Sequence, residues 1–92
     1  MIRSFRCPET EALHDGIGSR KFQGIETAAR TRLARLHAAT SLQDLAAIGG
    51  NRLEALKGDR AGQHSIRIND QWRICFTWRD GHAHDVEIVD YH

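Results

Sequence analysis

Residues 64–89, HSIRINDQWRICFTWRDGHAHDVEIV, alternate between two chemistries. The even positions Ile66, Ile68, Trp72, Ile74, Phe76 and Trp78 are apolar, whereas Arg67, Gln71, Arg73 and Thr77 stand at odd ones. Successive strand side chains point to opposite sides, so a period of two marks strands with one face against a core. A two-residue loop at Asn69 and Asp70 would set Ile68 against Gln71, core against polar. A three-residue loop, Asn69 to Gln71, pairs Ile68 with Trp72 and Ile66 with Ile74, and is the reading adopted. The same test on the following turn selects a loop of Arg79, Asp80 and Gly81, which sets Ile74 against Val86 and Trp72 against Ile88. Three antiparallel strands are expected.

The first half of the chain follows a different period. From Gly24 to Thr40, the residues Ile25, Ala28, Ala29, Leu33, Leu36 and Ala39 fall on one helical face, and Arg32 lies inside that arc as a long side chain snorkelling past the core edge. Before it, PETEALHDGIGS (8–19) reads as a short helix with Pro8 at its start, Glu9 and Glu11 in its first turn and glycines at its exit. Ser41 is placed to cap one further turn, stopped at Gly49 and Gly50. MIRSF (1–5) is compatible with a short strand. Helices followed by strands give an α+β fold, with N-terminal helices packed on one face of a small, mainly antiparallel β-sheet, as one domain over residues 1–92.

Composition narrows the function. Thirteen Lys and Arg against twelve Asp and Glu leave a net charge of +1, so bulk electrostatics indicate neither a nucleic-acid glove nor a membrane-surface protein. Any polyanion partner must be met by local arrangement. Residues 1–20 hold no signal-peptide pattern, and no run approaches the roughly 18 apolar residues of a membrane span. Cys7 and Cys75 make no disulfide framework, and Cys75 falls in an apolar run that suits a buried thiol, which together indicate a cytoplasmic protein.

The polar face carries the chemistry. The expected registers make Arg67 and Arg73 cross-strand neighbours with Glu87 beside Arg73, while LKGDR (56–60) brings Lys57 and Arg60 to the edge of the same sheet. Like charges opposite each other are unfavourable unless an anion joins them, and Arg recognises phosphate bidentately. A solvated face neutralised by Glu87 is the plainer reading of the same residues. Asp90, Tyr91 and His92 then follow the strand that carries Glu87, so acid, base and cation share one neighbourhood. That is the inventory for RNA cleavage: a base for the 2′-OH proton, a cation for the charged phosphorane and an acid for the departing 5′ oxygen. Neither a metal nor another cofactor is required. Strict alternation sets Tyr91 on the Arg73 face and Asp90 and His92 on the other, which a bulge would re-aim. HAHD (82–85) has a His-x-His spacing but no third ligand in place. Ser65 beside His64 is no triad, since adjacent strand residues diverge, and Cys75 has no helix terminus to activate it.

LKGDRAGQHSIRINDQWRICFTW (56–78) with the terminal VEIVDYH (86–92) resembles the HigB family of plasmid-maintenance killer toxins, within the RelE-like toxin superfamily. The resemblance runs along the whole chain and is most specific over 51–92. It implies a RelE-like fold and a type II toxin that cleaves messenger RNA in the ribosomal decoding site. It further implies a HigA-like helix-turn-helix antitoxin, with operator DNA bound only through the antitoxin complex. Carried over by position, Asp90, Tyr91 and His92 match the terminal catalytic residues, Arg73 the transition-state cation and Lys57 a basic contact near the scissile phosphate. Arg60 and Arg67 join the RNA-facing cations, and Gln71 matches a position near the codon. Glu54 stands where some members have a histidine, either as a base or as a solvated loop residue; repulsion from RNA phosphates favours the second. Two other readings share the fold: a ParE-like toxin that poisons DNA gyrase, and a degenerate antitoxin-binding regulator without nuclease activity.

Overall fold

A computed structural model describes residues 1–90; Tyr91 and His92, assigned above to the terminal trio, lie outside the described residues. Three helices, α1 (Pro8–His14), α2 (Glu26–Ala38) and α3 (Leu42–Ala46), precede four strands, β1 (Glu54–Ala55), β2 (Gln63–Arg67), β3 (Trp72–Arg79) and β4 (His82–Asp90). Single 3-10 turns at Gly49–Asn51 and Gly58–Arg60 flank β1. The sheet runs β1-β2-β3-β4, antiparallel throughout. The α+β expectation holds, and β1 is the strand that the sequence reading missed.

The helical period is used as read. Ala29, Leu33 and Leu36 of α2 are fully buried and join Ile66, Ile74, Phe76, Val86 and Ile88 of the sheet in one core. Full burial of each large aliphatic side chain there contributes about 1.5–3 kcal/mol. Phe22, in the turn before α2, is equally buried and meets Trp72 edge-on at 5.6 Å. Helix α1 docks on β4, where the buried Thr10 hydroxyl accepts the Ile88 N–H at 3.1 Å.

Ser41 does cap α3. Its hydroxyl accepts the Asp44 N–H, and the Asp44 carboxylate accepts the backbone N–H of Thr40 and Ser41 and the Thr40 hydroxyl. The Thr40 bonds, then those from Ser41, hold the Asp44 carboxyl below the usual carboxylate range. The sign follows from a depressed folded pKa. The contribution is complete above the unfolded carboxylate value of about 4 and fades as pH falls through the lower folded value. Thermal unfolding should therefore separate wild type from Asp44→Asn at neutral pH, with a gap that closes on acidification; a gap that persists at about pH 2 would contradict this.

The first hairpin has the expected register. Ile66 faces Ile74 and Arg67 faces Arg73, and the Ile68 N–H donates to the Trp72 carbonyl at 2.9 Å across the three-residue loop. Asn69 Oδ1 closes that loop by accepting the N–H groups of Gln71 and Trp72, each at 2.8 Å. The second hairpin departs from expectation. Arg79 pairs with His82, so the turn is the two residues Asp80 and Gly81, with φ of 55° and 80°, positive at both as a type I′ turn requires. A β-bulge at Asp85 (φ 53°), between the Thr77–His84 and Cys75–Glu87 pairs, inserts one extra residue. The shorter turn moves the partner by one position and the bulge by one more. Beyond the bulge, inward and outward faces are therefore as read, while Ile74 meets Ile88 and Trp72 meets Asp90; over residues 82–84 they are reversed, with Ala83 buried opposite Trp78. Glu87 moves with them: it faces Cys75, and Val89 faces Arg73.

The bulge also receives the N-terminus. Ile2 and Phe5 form parallel bridges with Ala83 and Val86, and the Asp85 N–H donates to Ser4 Oγ at 2.8 Å. The Ile2 N–H donates to His37 Nδ1 at 3.2 Å. Desolvation, then His14 and the N-terminal ammonium, push the His37 pKa down and favour this accepting, neutral ring.

Candidate active site

Residues 65, 67, 73, 75, 87 and 89 share the sheet face opposite the main core. That face is not the open surface that the alternation suggested. Ser65 and Cys75 are buried, and Arg73 is only 8% exposed. The covering comes from the segment around β1: Asn51 is fully buried, its amide donating to the Leu45 carbonyl at 3.1 Å and its Oδ1 accepting from Arg35 at 3.3 Å. Arg52 follows in left-handed conformation with φ 44°, which turns its carbonyl toward Arg73.

Arg73 is the centre of this arrangement. Its Nε donates to Ser65 Oγ at 2.7 Å, and its Nη2 donates to the Arg52 carbonyl at 2.6 Å and to the Ser65 carbonyl at 3.3 Å. All three acceptors are neutral, and no ion pair joins Arg73 to a carboxylate among the described residues. A guanidinium held this way is fixed in orientation yet keeps its whole charge for an incoming anion. Burial of the thiol next to it pushes the Cys75 pKa up, which leaves that sulfur protonated and unreactive.

Around it stand further cations. Arg67, opposite Arg73, pairs with the exposed Asp70. Arg32 of α2 donates through Nε to the Arg67 carbonyl at 3.3 Å. Its pKa is lowered first by desolvation, then by Arg35 and Arg67. The snorkelling side chain read from the helical arc thus ends among like charges.

Asp90 pairs with Trp72 and so stands on the sheet face opposite to Arg73, as strict alternation expected and the bulge did not change; its Oδ2 accepts from Gln71 Nε2 at 3.1 Å. Two residues singled out in sequence, 19 apart, are in direct contact. Glu54 faces Ser65 across the β1–β2 pair, one strand from the Arg73 anchor, and its side chain is exposed. Arg60 is turned to Glu87 at 2.8 Å and to Gln63 at 3.0 Å, and Arg6 reaches the same Glu87 oxygen at 3.6 Å. Glu87 therefore neutralises Arg60 and Arg6 and is not paired opposite Arg73 as expected, because the shorter turn and the bulge together shift it by two positions. Lys57 is exposed and makes no side-chain bond among the described residues. It follows Leu56, whose N–H donates to the Gln63 carbonyl, and so stands at the end of β2 opposite to Arg67.

HAHD lies at the other edge. His82 Nε2 accepts from Arg3 at 3.4 Å, and desolvation and then Arg3 lower the His82 pKa. Among the described residues, no three His, Cys, Asp or Glu side chains are grouped to hold a metal ion. Arg52 escaped the sequence reading, and Ser65 was considered there only as a triad member and set aside. Ser65 was within reach of it, since the correct register makes it the diagonal neighbour of Arg73.

The sheet, its helices and this strip define the RelE-like fold. The chain is similar over its whole length to the YoeB toxin of a YoeB–YefM toxin–antitoxin heterotetramer from Staphylococcus aureus, with TM-score 0.56, 23% identity and 98% of that chain covered. The YoeB dimer from the same organism gives TM-score 0.56 at 22% identity, covering 99% of this chain and 97% of that one. At such identities the likeness is one of fold. The model of a HigB-like toxin family, described as a RelE-like toxin of the type II toxin–antitoxin system HigB, matches residues 4–92, and the chain belongs to that family. It is 46% identical over 59 residues to Toxin HigB-1 of Vibrio cholerae serotype O1, covering 64% of this chain and 62% of that one. It is 44% identical over 41 residues to Endoribonuclease HigB of Proteus vulgaris, covering 45% of each. The chain thus spans about half to three fifths of the length of these curated relatives.

Proposed function

We propose that this protein is the toxin of a type II toxin–antitoxin pair and acts as an endoribonuclease, cutting messenger RNA by attack of a ribose 2′-OH on the adjacent phosphodiester. The observation that carries this reading is the Arg73 guanidinium, buried and held by three neutral oxygens with no ion pair to a described carboxylate. A base drawn from the terminal residues removes the 2′-OH proton, and the 2′ oxygen attacks phosphorus. Arg73 stabilises the dianionic phosphorane. An acid from the same trio gives its proton to the departing 5′ oxygen, leaving a 2′,3′-cyclic phosphate and a 5′-hydroxyl. Gln71 holds the Asp90 carboxylate in place through their hydrogen bond. Each proton and charge in this scheme is assigned to a protein group.

The substrate is mRNA in the ribosomal decoding site, met in the cytoplasm, with Arg67, Arg60 and Lys57 as phosphate contacts and Gln71 near the codon. Glu54 remains a solvated residue rather than the base. The relative named an endoribonuclease supports the activity, and the toxin–antitoxin complexes of the same fold support a partner that restrains it. We assign that partner as a HigA-like helix-turn-helix antitoxin, which alone brings the pair to operator DNA.

Induction of the protein without its antitoxin should stop protein synthesis and shorten transcripts at codon-sized intervals. Intact transcripts with altered DNA supercoiling would replace this reading with gyrase poisoning. Intact transcripts with unaltered supercoiling would leave an antitoxin-binding regulator.

A further inference from the structure

We infer that Ser65, together with the Arg52 carbonyl, is the positioning device that aims Arg73 at the reacting phosphate; this rests on the endoribonuclease reading above. A buried guanidinium has five N–H donors in a rigid plane, and its orientation is set by whichever acceptors it meets. Here Nε and Nη2 occupy one edge of that plane and meet Ser65 Oγ, the Ser65 carbonyl and the Arg52 carbonyl. The other edge, through Nη1, has no acceptor among the described residues.

Three features make this a built arrangement rather than incidental packing. Ser65 is wholly buried, so its hydroxyl has no water to exchange for Arg73. Arg52 adopts φ 44°, a conformation that costs a non-glycine residue about 1–2 kcal/mol, and the consequence of that turn is a 2.6 Å bond to the guanidinium. Both residues that supply these acceptors lie outside β3, one in the neighbouring strand and one in the covering segment, so the aim of Arg73 is fixed from two directions. A carboxylate in either place would hold the side chain more strongly but would also cancel the charge required by a phosphorane.

The test compares wild type, Ser65→Ala, Arg73→Ala and the double variant in single-turnover cleavage of mRNA on programmed ribosomes, with thermal unfolding of each. A guanidinium aimed wrongly by a fraction of an ångström should cost about ten- to a hundred-fold in rate. We expect Ser65→Ala to lose that factor in kcat with KM near the wild-type value, and to lose nothing further once Arg73 is Ala. Ser65→Thr, which restores the oxygen, should recover most of the rate. Added guanidinium ion should partly restore Arg73→Ala by filling the same cradle, and the double variant should need more of it. If Ser65→Ala fails to fold, Ser65→Cys, similar in size but a poor acceptor, takes its place with the same expectation. Equal losses in both Arg73 backgrounds, or full activity of Ser65→Ala while Arg73→Ala is impaired, would overturn the positioning role and leave the nuclease reading intact. Wild-type protein that cleaves nothing would overturn both.

Discussion

Arg73→Ala is expected to lower single-turnover cleavage by about 10² to 10³, the range typical of removing one preorganised stabiliser of a developing oxyanion. The expectation comes from the state of the side chain: buried, fixed by three neutral acceptors and carrying a charge that no described carboxylate offsets. Stability should change much less than rate. Truncation leaves Ser65 and the Arg52 carbonyl without their donor, at about 1–3 kcal/mol, but it also removes a cation from a poorly hydrated site and from the company of Arg67. Arg73→Lys should recover little activity, because an ammonium keeps the charge but lacks the fork that spans Ser65 and Arg52. Urea unfolding beside the cleavage assay decides the matter. A rate loss that merely tracks the loss of folded protein would make Arg73 a structural residue.

The largest effect expected from a change in the substrate is loss of the reaction when the nucleotide 5′ to the scissile bond is 2′-deoxy, since its nucleophile is then missing. His92→Ala in the protein should cost about 10² to 10⁴, the usual worth of general acid–base help. Unfolding temperature, measured on the same samples, should stay near the wild-type value. Both arms use programmed ribosomes, and wild-type cleavage of the all-ribose substrate should proceed in the presence of a chelator once the ribosomes themselves are kept intact. Cleavage of the deoxy substrate at the ordinary rate would show that water, not the 2′ oxygen, attacks phosphorus. Undiminished cleavage by His92→Ala would remove that imidazole from the scheme.

Periodicity made much of this molecule readable. The apolar arc of α2 and the even positions of β2 and β3 are patterns that burial imposes directly, and the core face of those strands came out as read, whereas the opposite face, read as open, is covered. Register in the second hairpin did not, because a two-residue turn followed by a bulge preserves the same parity as a three-residue loop without one. Only the partners differ, and parity cannot sense them. That hidden step placed Glu87 wrongly and assigned it to Arg73 when it serves Arg60 and Arg6. The two-residue β1 and the left-handed Arg52 left no mark in composition, because each is set by contacts with strands later in the chain. What the residues did disclose was the pairing of Arg67 with Arg73 by register, whereas the contact of Gln71 with Asp90 emerged only from the structure.

The parallel seam between the first residues and β4 has a consequence for how the protein is born. Arg3 and Arg6 donate to carbonyls of Ala83 and Val86, and Thr10 accepts from Ile88 across 78 positions of chain. Contacts of such long span form late, because the loop they close must be ordered before they return any stabilisation. Synthesis proceeds from the N-terminus, so Met1 to Phe5 is made well before β4 and has no pairing partner until that strand follows. The core that α2 shares with the sheet includes Val86 and Ile88, so it too stays incomplete until β4 is present. Closure of this seam is thereby deferred until β4 has been made.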